Sequence, residues 1–69
     1  MKYAIIIESG KNNYSAYVPD LPGCVSTGLT IEKVKKNIHE AIEFHIEGLK
    51  EDGEEIPLPV SLSDSVEVA

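Results

Sequence analysis

The spacing of apolar residues changes along the chain, and each change marks an element. In Lys2 to Glu8 (KYAIIIE), Tyr3, Ile5 and Ile7 alternate onto one face and Ala4 and Ile6 onto the other. The three successive isoleucines are β-branched and favour extended backbone, which predicts a strand over about 2–8. Apolar residues on both faces make it a central strand, or one whose second face meets another subunit. Ser9 to Asn13 reads as a turn, because glycine and asparagine tolerate the positive φ that hairpin loops need. Tyr14, Ala16 and Val18 then share a face, predicting a second strand over 14–18. Pro19 ends it. Pro22-Gly23 fits the centre of a type II turn with glycine at positive φ, and a third strand follows over 24–28. Turns this short make the three strands an antiparallel meander.

From Ile31 the period lengthens to that of a helix. Ile31, Val34, Ile38, Ala41, Ile42, His45 and Leu49 form one stripe, while Glu32, Lys33, Lys36, Glu40, Glu43 and Glu47 face away. The helix is expected over about 31–52. Thr30 is a suitable N-cap, although Lys33 stands where a capping box needs Glu or Gln. Asp52-Gly53 supplies the stop, with Gly53 left-handed. Gly48 inside the helix costs up to about 1 kcal/mol against alanine, which points to another backbone approaching closely there. Phe44 breaks the stripe and projects beside Asn37. It reads as an interface residue, the competing reading being that the C-terminal segment folds over it. Residues 56–69 form an extended tail with prolines at 57 and 59, and Ser65 to Ala69 predicts a short fourth strand with Val66 and Val68 on one face. It would pair within the chain or with another subunit.

These elements predict a single α+β domain over 1–69, with a three-stranded antiparallel sheet, one long helix on one face and the short C-terminal strand. A chain of 69 residues buries only about 60% of the surface it exposes when unfolded, so a homo-oligomer, dimer or tetramer, is expected.

The net charge of −6, with all six basic residues lysine, argues against nucleic acid, where arginine supplies most phosphate and base contacts. It suits a basic partner, or serves only solubility. Cys24 is the single cysteine, which fits a reducing cytosol and thus a cytoplasmic protein. No apolar run approaches membrane-spanning length, and the first residues lead straight into a strand, with no signal peptide expected.

Candidate chemistry is sparse. Cys24 as a nucleophile would need a base and a depressed pKa; with only His39 and His45 on offer, a buried thiol and a helix histidine held by hydrogen bonds are the plainer reading. His39 and Glu43 are four apart and share a helix face, too few for a metal site. Glu40, Glu43 and Glu47 line one helix flank at a spacing that predicts a solvated acidic stripe rather than convergent catalytic carboxylates. No phosphate loop, dinucleotide fingerprint or nucleophile elbow is present. No catalytic residue, metal or cofactor is expected.

The run Tyr17-Val18-Pro19-Asp20-Leu21-Pro22-Gly23-Cys24, then Thr27, Gly28 and Thr30, then Ala41 to Leu49 (AIEFHIEGL) and Asp52 to Pro57 (DGEEIP), resembles the HicB-like antitoxins. The resemblance covers nearly the whole chain, to Pro59. It implies a partial ribonuclease-H-like fold and a non-catalytic protein that binds and neutralises a small basic HicA-like toxin that cleaves messenger RNA. Many members continue into a DNA-binding domain; with Ala69 ending the chain, direct DNA binding is not expected of it. The fold does not bring ribonuclease chemistry with it, since only Glu8 on the first strand offers a carboxylate for a two-metal site. From charge and exposure, the toxin-facing residues are expected to be Asp20, Glu40, Glu43, Phe44 and Glu47. The alternative is an orphan homo-oligomer acting as a structural or ligand-binding module, and a toxin gene adjacent to this one would decide between them.

Overall fold

A computed structural model describes residues 1–69. Three strands, β1 (Ile6–Ser9), β2 (Tyr14–Tyr17) and β3 (Val25–Gly28), precede one helix, α1 (Ile31–Glu51). The sheet is an antiparallel meander in the order β1-β2-β3. Its register pairs Ile6 with Tyr17 and Tyr17 with Val25, and Ile7 with Ala16 and Ala16 with Ser26. β1 is therefore an edge strand, not a central one. Each strand is shorter than its apolar run: Tyr3 to Ile5 continue β1's line beyond the end of the ladder with β2.

The turns follow from local chemistry. Two consecutive turns close β2 onto β3: the Leu21 amide donates to the Val18 carbonyl and the Cys24 amide to the Leu21 carbonyl, at 3.1 and 3.0 Å. Gly23 sits at φ 85°, as the third residue of a type II turn requires. The first hairpin differs from expectation. Gly10 donates to the Asn13 carbonyl at 2.7 Å, and no residue of that turn has positive φ.

Helix α1 begins and ends as its capping residues dictate. The Thr30 hydroxyl accepts from the Lys33 amide at 3.0 Å, which satisfies one orphan donor of the first turn. At the other end Gly53 takes φ 70°. The Glu54 amide then donates to the Leu49 carbonyl and the Gly53 amide to the Lys50 carbonyl, the paired bonds of a Schellman stop.

The helix lies chiefly over β3 and secondarily over β2. Its contact with the strand is made at Gly28. A Cβ there would lie 2.6 Å from the Val34 nitrogen and 2.8 Å from its Cα. The close backbone approach thus falls at Gly28, whereas a Cβ at Gly48 would meet nothing within 4 Å. Asn37 secures the same approach by donating from Nδ2 to the Thr27 carbonyl at 2.8 Å.

The core is Ala16, Val18, Leu21, Cys24, Val34 and Ile38, with Tyr3, Ile5, Ile7, Tyr14, Ala41, Ile42 and Ile46 packed around it. The predicted stripe is displaced at both ends. Ile31 is half exposed, and Ile46 joins the packed face beside Tyr3 and Ile5. Residues 55–69 run without regular structure. No fourth strand forms over Ser65–Ala69, whose residues are all exposed.

The two glycines should respond oppositely to one substitution. Gly28→Ala drives a methyl into helix backbone that cannot move alone, and should cost about 1–3 kcal/mol. Gly48→Ala adds helix propensity in open space and should stabilise by about 0.5–1 kcal/mol. Urea unfolding of the two variants reads both signs.

Candidate functional site

The face of α1 opposite the core carries Glu40, Glu43, Phe44 and Glu47, placed there by the 100° step between residues. The three carboxylates are exposed, and Phe44 is 81% exposed. The tail therefore does not fold over Phe44. Glu43 Oε1 lies 3.4 Å from His39 Nδ1, with both side chains largely exposed. Exposed pairs of this spacing contribute only about 0.3–0.5 kcal/mol.

The terminal turns of α1 are mixed with respect to its dipole: Glu32 and Lys33 stand in the first, Lys50 and Glu51 in the last. Lys33, Lys35 and Lys36 lie toward the positive N-terminus, and Glu47, Glu51 and Asp52 toward the negative C-terminus, where only Lys50 is basic. Acidic groups are stabilising at the first turn and unfavourable at the last, by about 0.3–1 kcal/mol each. The dipole therefore does not account for Glu40, Glu43 and Glu47, which lie outside both turns.

Asp20, the fifth residue expected at the site, lies apart from the helix face in the turn between β2 and β3. Its carboxylate holds the tail. Oδ2 accepts from the Val60 and Ser61 amides at 3.0 and 2.9 Å, and Oδ1 from the Ser61 hydroxyl at 2.7 Å. The Ser61 amide and then its hydroxyl hold the Asp20 carboxyl below the usual aspartate range against an opposing effect of desolvation, with a lesser contribution from the Val60 amide. A second tether lies nearby, where the Tyr3 hydroxyl donates to the Pro57 carbonyl. Sequence reasoning missed this latch because its partners are 40 and 41 residues away; the one local hint was an aspartate in a turn, which usually bonds its own backbone.

The thiol of Cys24 is buried, and desolvation raises its pKa, the opposite of what a nucleophile needs. No three His, Cys, Asp or Glu side chains converge as a metal site would require. No helix is long and apolar enough to cross a membrane. A groove of about 860 Å³ lies between α1 and the segment before β1.

Comparison with known proteins places this geometry. The family model described as HicB_like antitoxin of bacterial toxin-antitoxin system matches residues 3–68. A 14.9 kDa protein from the rep-hol intergenic region of Haemophilus phage HP1 is 51% identical over 57 residues, which is 83% of this chain and 43% of that protein. A UPF0150 protein of Thermoplasma acidophilum is 45% identical over 58 residues, covering 83% of this chain and 84% of its own. Among solved structures, a chain of the "HicA3 and HicB3 toxin-antitoxin complex" superposes with a TM-score of 0.73 at 37% identity, covering 83% of this chain and 66% of that one. The chain thus spans less than half of the phage relative and about two thirds of the matched chain of the complex.

The latch generates a pH dependence of definite sign. The Asp20 carboxyl is depressed in the folded state, so its contribution is complete above the unfolded value, about 3.9, and is lost as pH falls through the lower folded value. The Ser61 amide, followed by NMR, should stay protected at neutral pH and be released only in acid below about pH 4. Asp20→Ala should release it at neutral pH and speed proteolysis between 57 and 62, with the helical circular dichroism unchanged.

Proposed function

As this chain belongs to the HicB-like antitoxins of bacterial toxin–antitoxin systems, we propose that it acts by binding, docking on a small basic toxin that cleaves messenger RNA and covering the toxin's active surface. It performs no reaction of its own. The observation that carries this reading is the acidic face of α1, with Phe44 exposed among Glu40, Glu43 and Glu47. An aromatic anchor ringed by like charges suits a partner of opposite sign: the ring supplies buried area and the carboxylates steer approach and exclude wrong partners. Glu40, Glu43 and Glu47 lie outside the terminal turns and gain nothing from the helix dipole, which fits a role outside folding. The likeness to a chain of a HicA3–HicB3 complex supports a HicA-like protein as the partner. Asp20 would act in a different way, by holding the tail beside the docking surface rather than by meeting the toxin through its carboxylate, all of whose contacts are with residues 60 and 61.

Binding to a small basic HicA-like toxin, measured by surface plasmon resonance, tests the proposal. Glu40→Lys/Glu43→Lys/Glu47→Lys should lower the association rate by at least about tenfold at low salt, with the difference shrinking as salt rises. Phe44→Ala should act on dissociation instead, raising its rate about tenfold, as expected for loss of an aromatic anchor worth more than about 1 kcal/mol. Unchanged affinity in both variants would exclude this helix face.

A further inference from the structure

The tail and the groove are complementary in period, shape and charge. Leu58, Val60, Leu62, Val66 and Val68 occupy every second position of the tail except Asp64, and all are 69–95% exposed. Between them stand Pro59, Ser61, Ser63, Ser65 and Glu67. Such alternation is the pattern of a strand with one apolar face, yet this stretch pairs with nothing in the chain. The groove offers what the tail lacks. Its wall is Ile5, Ile38, Ile42 and Ile46, and Lys2, Lys35 and Lys50 stand on its rim, with Glu43 and Glu47 on the helix side. It opens against Tyr3 and Ile5, the residues that lead into β1, and the free edge of β1 continues from there with outward main-chain groups that no strand pairs, an edge of the kind that accepts an added strand. A strand added there sends alternate side chains toward the groove, bringing Leu62, Val66 and Val68 to the isoleucines and Asp64 to the lysine rim.

The chain's own tail is led elsewhere. It meets Tyr3, before β1, at Pro57, and then Asp20, after β2, at Val60 and Ser61. Those two points lie in order across the end of the sheet, from β1 toward β3. Beyond Ser61 the tail is therefore directed away from its own β1 edge. Residues 62–69 span about 26 Å when extended at about 3.3 Å each, enough to run the length of Tyr3 to Ser9 on a neighbour.

We propose that residues 62–68 of one copy add as a fourth strand to the β1 edge of a second copy and fill its groove, and that the exchange is reciprocal about a two-fold axis. The latch at Asp20 aims the arm. The proposal uses neither Phe44 nor Glu40, but the groove includes Glu43 and Glu47 and so shares that flank of the helix with the toxin-binding reading; variants confined to the tail valines separate the two.

Light scattering of the full chain over a range of concentrations should show twice the chain mass. Val66→Asp/Val68→Asp should stay at the monomer mass with unchanged helical circular dichroism, both valines being exposed. Mixing His39→Cys chains with Val66→Cys chains under mild oxidation should give a disulfide-linked pair of the two variants. A monomer at every concentration overturns the proposal. So does a dimer that persists in the aspartate variant, which would assign association to another face. A disulfide closing within one chain of the His39→Cys/Val66→Cys double variant would give the groove to the chain's own tail and overturn it equally.

Discussion

Everything in this domain depends on how closely one helix can lie on one strand. At Gly28 the first turns of α1 come so near β3 that even a methyl group cannot fit between them. That contact sets Val34 and Ile38 onto Leu21 and Ala16, and the sheet is too short to seat the helix a second time. The rest of α1, ten residues beyond Ala41, extends past the fully buried core and carries its polar face with it. A small core and a long overhanging helix are thus one geometric fact, and the overhang gives the acidic face its reach.

What could be read from the sequence was whatever is decided by neighbours in the chain. Gly23 at its turn, the Thr30 cap and the Asp52-Gly53 stop all behave as residue chemistry within a few positions demands. The apolar periods identified the three strands and the helix. Long-range facts were not legible. A glycine needed for helix contact looks the same in sequence as one that is not, so the close approach was expected at Gly48 and occurs at Gly28. The edge position of β1 was hidden by the run Ile5 to Ile7, because an apolar second face does not say whether chain or partner covers it. Ser65 to Ala69 has the composition of a strand but no strand of its own chain within its path.

Of the five residues expected at the binding surface, the four on the helix share one face because a single helical period relates them. Asp20 could not be placed by that rule. Its turn brings it to the sheet end where the tail passes, and three hydrogen-bond donors compete successfully for a carboxylate that charge alone assigned to a partner. The family's sequence signature around Asp20 is thus tied here to chain architecture. What folding leaves unused on the helix is the exposed ring of Phe44 and the carboxylates beside it.

Cys24 adds one more consequence. Its sulfur lies within the six-residue core to which β2, the turn after it and α1 all contribute, and no second core exists that could hold while this one opens. None of the residues buried with it belongs to the tail or to the last helical turns. The thiol reaches solvent only when this core opens, so the rate at which it is alkylated reports core opening, and a chain with no engineered label carries its own clock for it under native conditions.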